Sequence, residues 1–306
     1  MPDLSVIIPA RNEIFLRQTV ENVLANARAD TEVIAVVDGY EPGPLPEHPR
    51  LRVIRLATPV GQRAATNLGA KASEARYVMK LDAHCAVDEG FDAKLMADCQ
   101  PDWTLIPSMH NLHAFDWVCC NCEHRTYQGS RPQGCEKCHA CELEMALVWK
   151  PRPNRLTVSW MFDKNLQFQY WRKRKVKGDL PETMSFIGAC MFLERERFWA
   201  LGGMDEGHGS WGQFGTEWAC KTWLSGGKLV TSRKTWFAHM FRTGNFATNG
   251  QSSWPYDITQ GEIDRAREYS RDLWLNDKWP LAKYPLSWLV ERFRPVPSWH
   301  DEVVCA

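Results

Sequence analysis

A succession of short apolar runs, each stopped by a polar turn, restricts the fold of this chain more than any other feature. Leu4 to Pro9 is a mostly apolar strand closed by proline, and Arg11-Asn12-Glu13 follows as a polar turn. Leu16, Val20, Val23, Leu24 and Ala27 then recur at helical spacing. Glu32 to Val37 reads as a second buried strand, ending in Asp38-Gly39, and a proline-rich loop leads to a third, Leu51 to Leu56. Gly61 to Ala75 reads as a helix with Ala64, Ala65, Leu68 and Ala72 on one side, and a fourth strand, Tyr77 to Leu81, ends at Asp82. Strands that alternate with helices pair in parallel, so the expected class is α/β, a mostly parallel sheet with helices on both faces. Ligands of such sheets sit beyond the carboxyl ends of the strands, where this chain places Asp38 and Asp82.

The 306 residues leave room for one large α/β domain or two ordinary ones. Formal net charge is zero, so no global attraction to a polyanion is expected and only local patches could supply one. No apolar run approaches the length of a membrane span, and no leader-like segment opens the chain; the expectation is a soluble cytoplasmic protein, in a bacterium or a phage-infected cell. A dinucleotide fingerprint and a P-loop lysine are both absent. Asp38 could still accept from a base N–H, and Arg63 could pair with phosphate.

Asp82-Ala83-His84 offers a hard oxygen and an imidazole nitrogen two residues apart, a set that suits Mn²⁺ or Mg²⁺. A metal there could neutralise a diphosphate leaving group. The competing reading is a helix cap at Asp82 and a surface histidine at His84.

Eleven cysteines are present, six of them between Cys119 and Cys141. Cys119-x-x-Cys122, twelve intervening residues and Cys135-x-x-Cys138 have the spacing of a zinc ribbon, with four thiolates around one structural Zn²⁺. Cys120, Cys141, His124 and His139 are spare candidates, and disulfides are the main alternative.

The order of these motifs resembles the GT-A fold of family 2 and related glycosyltransferases. Ser5 to Glu13, Val36-Val37-Asp38, Gly61 to Ala70 and Leu81-Asp82-Ala83-His84-Cys85 carry the resemblance. The Asp-Ala-His-Cys form is similar to the polypeptide N-acetylgalactosaminyltransferases. The resemblance implies a nucleotide-sugar donor, UDP-linked, with Asp82 and His84 as metal ligands and Asp38 near the base. It implies donor contacts from Pro9, Arg11, Glu13, Arg63, Asn67 and Arg242. Ser185 to Leu193 looks like a strand of the same transferases, and Phe198 to Glu206 is similar to a pattern in which Asp205 meets sugar hydroxyls or caps a turn. Ser232 to Arg242 resembles their closing segment, which makes His239 the third metal ligand.

Trp211 to Glu217 departs from the pattern. Phe214 and Gly215 stand where inverting relatives carry acids, which leaves Glu217 as the candidate catalytic base, or as an acceptor contact or helix cap. A retaining reaction needs no such base and is the direction favoured.

The expected division is a catalytic domain over 1–253, interrupted by the zinc-ribbon-like insertion at 117–142, and a Trp-rich helical tail over 254–306 that packs back on it. Within the catalytic part, Thr243 to Ser253 reads as a lid loop. The expected function is metal-dependent transfer of a hexosyl or N-acetylhexosaminyl group to a hydroxyl. The ribbon and the basic run Arg172 to Lys177 favour DNA, through a hydroxymethylated base, as the acceptor. A protein or glycan acceptor is the alternative, as is an inactive module that binds a nucleotide sugar or DNA.

Overall fold

The computed structural model describes residues 1–153, 156–242 and 258–299. Four parallel strands form its first half: β1 (Leu4–Ala10), β2 (Thr31–Asp38), β3 (Leu51–Leu56) and β4 (Tyr77–Leu81). The helices α1 (Leu16–Asn26) and α2 (Gln62–Ala72) connect them as the alternation requires. Every residue of β1 is buried, so both faces of the sheet are covered, and its near-continuous apolar sequence follows from that. The join between α2 and β1 is tight: a Cβ on Gly69 would overlap the Ile7 side chain.

The second half adds β5 (Cys85–Val87), α3 (Phe91–Asp98), the long β6 (Trp103–Cys119), β7 (Arg125–Tyr127), β8 (Leu143–Pro151), β9 (Trp160–Phe162), β10 (Phe168–Tyr170) and β11 (Cys190–Glu194). It continues with α4 (Arg195–Ala200), α5 (Phe214–Leu224), β12 (Lys228–His239), α6 (Gln260–Leu275) and α7 (Leu286–Arg292). The main sheet runs β3-β2-β1-β4-β11-β6-β12-β5, and β11 is the first strand to reverse direction, antiparallel to β4. β9 and β10 pair separately.

One strand expectation is shortened. The stretch Ser185 to Leu193 becomes a strand only from Cys190, because Gly188 takes a left-handed conformation (φ 87°) and turns the chain towards α5. A Cβ there would press on the Gly215 backbone and on Phe214, and a Cβ on Gly215 would overlap the Phe186 carbonyl. These two glycines let the loop and the start of α5 meet backbone to backbone.

β6 continues past the sheet into an arm, where β7 and β8 pair with it. The cysteines sit at its tip. At the other end of the chain, α6 opens with a complete capping box, Thr259 with Glu262, and buries Ala266, Ser270 and Trp274. Tyr269 of the same helix is 38% exposed and donates to Asp205. The domain boundary at 253 and the lid segment Thr243 to Ser253 lie outside the described residues.

Candidate functional site

A cavity of about 530 Å³ opens beyond the carboxyl ends of β1, β2 and β4. Pro9 lines it from the end of β1, Arg11 and Glu13 from the loop that follows, Asp38 from the end of β2, and Asp82 and His84 from the loop after β4. His239 and Arg242 enter from the end of β12, and Ile263 and Arg267 from α6. The tail therefore supplies wall to the cavity as well as packing.

Sheet pairing assembles the floor. β12 pairs with β5 so that His239 stands opposite Cys85, the residue after His84, and the Met240 N–H donates to the His84 carbonyl at 3.1 Å. The His84 and His239 Nε2 atoms lie 3.0 Å apart, with Asp82 Oδ2 3.3 Å from His239 Nε2. The three ligand atoms lie within 4.8 Å of one another. Asp82 caps no helix.

The donor chemistry fits a divalent cation. His84 Nδ1 lies 2.9 Å from Glu13 Oε2; an ionised carboxylate only accepts, so Nδ1 carries the proton and Nε2 offers its lone pair to the centre. Burial pushes His239 down to about 4, against the pull of Asp82, so this imidazole is neutral and able to ligate. Burial alone would raise Asp82, but Lys80 and the two histidines beside it hold the carboxyl below the usual range. Glu13 behaves alike: burial works against its charge, while His84 and Arg242 hold it ionised.

Two residues expected at the donor are used elsewhere. Arg63, 1% exposed, donates to Glu217 Oε2 at 2.7 Å and to the carbonyls of Gly209 and Gly212. Asn67 donates to the Met204 carbonyl and to Glu206, which pins α2 to the loop after α4. Neither lines the cavity, so neither can hold phosphate there. Asp38 does reach the cavity, but its carboxylate also accepts from the N–H groups of Val60 and Gly61, at 2.6 and 3.0 Å.

Glu217 requires the largest correction. It sits in the first turn of α5 with no exposed side chain, between Arg63 and Lys221 (2.9 Å), and accepts from the Asp205 N–H at 2.7 Å. Burial opposes its charge, but Lys221 and Arg63 overcome that and hold the carboxyl below its ordinary value. It has no lone pair turned to the cavity and is a structural anion, neither a base nor an acceptor contact. Asp205 likewise caps a turn, accepting from the Gly207 N–H at 2.9 Å and from Tyr269.

Sequence reasoning missed Lys80 and Gln62, whose head groups both meet Asp82 Oδ1. A lysine inside the otherwise apolar Tyr77–Leu81 run was the available signal for the first. Nothing in the sequence marked Gln62.

At the arm, Cys119 Sγ lies 3.5 Å from Cys138 Sγ, as does Cys122 Sγ from Cys135 Sγ, and all four lie within 4.8 Å. These separations exceed a disulfide bond, and the thiols are free. The two knuckles match: the Glu123 N–H donates to the Cys119 carbonyl and the His139 N–H to that of Cys135, both at 2.9 Å, with φ of 57° and 60° at Glu123 and His139. The N–H of Ala140 helps hold the Cys138 thiol below its ordinary value, towards the thiolate a metal needs. The exposed Cys120 and Cys141 stand outside the quartet, as do His124 and His139.

The model for glycosyl transferase family 2 matches residues 5–110. The structure of GalNAc-T7 with UDP, GalNAc and Mn²⁺ superposes with a TM-score of 0.61 at 20% identity, over 89% of this chain and 48% of that one. This chain has the GT-A glycosyltransferase fold. The GT-A sheet is shared with S. aureus TarS 1-349 in complex with UDP-GlcNAc, at a TM-score of 0.51, 13% identity and 94% and 69% coverage. In sequence the chain is 26% identical to mouse polypeptide N-acetylgalactosaminyltransferase 6 over 292 residues, 90% of this chain and 42% of that protein. It is 27% identical to human N-acetylgalactosaminyltransferase 7 over 231 residues, 74% of this chain and 32% of that protein. The chain thus spans about two fifths or less of the length of these curated relatives.

Proposed function

We propose that this chain transfers a sugar from a UDP-linked donor to a hydroxyl of a polypeptide or glycan, with retention at the anomeric carbon. The observation that carries the reading is the convergence of Asp82, His84 and His239 on the floor of the cavity. Support comes from the likeness to polypeptide N-acetylgalactosaminyltransferases and to structures that hold UDP, Mn²⁺ or UDP-GlcNAc.

Asp82, His84 and His239 would hold a divalent ion, Mn²⁺ or Mg²⁺, which when bound supplies charge stabilisation to the departing diphosphate. Glu13 keeps His84 in the ligating tautomer. The cavity's acids support retention. Among the described residues these are Glu13, Asp38 and Asp82, and each is engaged by His84 and Arg242, by two backbone N–H groups, or by Lys80 and Gln62. Among the described residues, no free carboxylate of the cavity is left to take a proton on the far face of the sugar. The acceptor hydroxyl instead bonds to the anomeric carbon on the face the diphosphate leaves, and its proton passes to the departing phosphate oxygen.

A polypeptide or glycan acceptor is placed ahead of DNA. In the basic run, Arg174 is taken up inside the fold, 5.0 Å from the Trp171 ring centre and 4.9 Å from that of Phe293, and donates to the Glu182 carbonyl at 2.6 Å. The four thiolates of the arm we assign to a structural Zn²⁺, in a reducing compartment.

A donor screen with Mn²⁺ tests the reading. Slow UDP release, and transfer to peptide or glycan with the product anomer matching the donor by NMR, is the expected result. No hydrolysis and no transfer with any nucleotide sugar would reduce the chain to a binding module, and an inverted product would refute retention.

A further inference from the structure

Two acids serve the metal cluster, the buried Glu13 and the partly exposed Asp82, and each has its own cation. Lys80, 1% exposed, directs its ammonium to Asp82 Oδ1 and donates to the Gly188 carbonyl at 2.7 Å, beneath the Phe214 ring 4.4 Å away. Gln62 donates to the same Oδ1 at 3.0 Å. That oxygen is saturated, and Oδ2 alone faces the histidines. Behind His84, the Arg242 guanidinium pairs with Glu13, and both side chains are nearly buried. With imidazoles neutral, as ligation requires, the charges of Asp82, Glu13, Lys80 and Arg242 sum to zero. A divalent cation entering alone meets a neutral site with an ammonium on the far side of its only carboxylate ligand. The Lys80 ammonium is buried and Asp82 is 18% exposed, so the pair interacts more strongly than charges on the open surface.

We propose that Lys80 is a positioning residue that makes metal binding depend on the nucleotide: it aims Oδ2 at the ion and cancels the charge of Asp82, so the ion is held firmly only when a nucleoside diphosphate brings the balancing negative charge. The identity of that anion rests on the glycosyl-transfer reading; the charge arrangement does not. Filling of the site is thereby tied to donor loading, and by linkage each ligand raises the affinity of the other by the same factor.

Calorimetric titration of the full chain with Mn²⁺, alone and with saturating UDP, tests this. The wild type should bind Mn²⁺ at least about tenfold more tightly with UDP than without. Lys80→Met, which keeps the length and loses the charge, should bind Mn²⁺ alone about tenfold more tightly and shrink the coupling to match. Gln62→Ala, which removes a neutral partner of Oδ1, should keep the wild-type coupling factor. A merely structural lysine would lower the melting temperature of Lys80→Met and leave its coupling unchanged, which would overturn the proposal. So would tight Mn²⁺ binding by the wild type without UDP, a result that needs no variant to fold. Failure of the wild type to bind UDP even with Mn²⁺ would remove the glycosyl-transfer reading itself, and is separable because UDP binding is read directly.

Discussion

Asp82, His84 and His239 form an open cluster, while the four cysteines form a closed one. The cysteines come from two Cys-x-x-Cys knuckles and bring four sulfurs within 4.8 Å of one another, so a metal held by all four has no position left for a substrate. The triad approaches from the sheet side only and faces a cavity of about 530 Å³. The Glu217 cluster is closed in the same sense, its carboxylate consumed by Arg63, Lys221 and a backbone N–H. The contrast teaches that a charged or ligating side chain takes part in chemistry only where the fold leaves one side of it unfilled.

The sharpest test empties the open cluster. Asp82→Ala or His239→Ala should lower UDP release by about a hundred- to a thousandfold or more, with the circular dichroism spectrum unchanged. Activity near wild type in either variant would break the distinction.

The closed anion should behave in the opposite way. Glu217→Gln leaves Arg63 and Lys221 buried without their counter-charge and should cost about 3–5 kcal/mol of stability in urea unfolding. Because the folded protein holds this carboxyl below its ordinary value of 4.5, its contribution is fully present above that value and is lost as pH falls through the lower folded one. The melting temperature of the wild type should therefore fall more steeply below about pH 4.5 than that of the variant. A loss of catalysis in Glu217→Gln with stability and its pH dependence intact would restore this residue as a base.

Cys135→Ser should abolish zinc retention, measured by metal analysis, and loosen the arm, while donor hydrolysis stays within about threefold of wild type because four thiolates leave no catalytic position. A large loss of hydrolysis would tie the arm to the open site. The smallest effect is expected for Asp38→Asn, which exchanges one of two acceptors of backbone N–H groups for a donor: about 1 kcal/mol of stability and a rise of a few fold in donor KM.

Legibility in the sequence followed the distance along the chain over which each feature is built. The strands of the first half were readable because a strand buried on both faces must be apolar throughout, as Leu4–Ala10 is. The cysteine quartet was readable because each knuckle closes over four residues. The Asp82-Ala83-His84 pair was visible but ambiguous, and the shortened strand before Cys190 was hidden because the turn at Gly188 depends on Gly215 of another element.

The sequence by itself determined the parallel α/β core, the placing of Asp38 and Asp82 at strand ends, and the four-cysteine knuckles, since local periodicity and spacing suffice for each. Tertiary structure alone decided that Lys80 and Gln62 engage Asp82, and that Arg63 spends its charge on Glu217. A charged side chain reads the same in sequence whether it faces substrate or a counter-ion, and only the packing of residues more than a hundred positions apart, such as Arg63 and Glu217, determines which it meets.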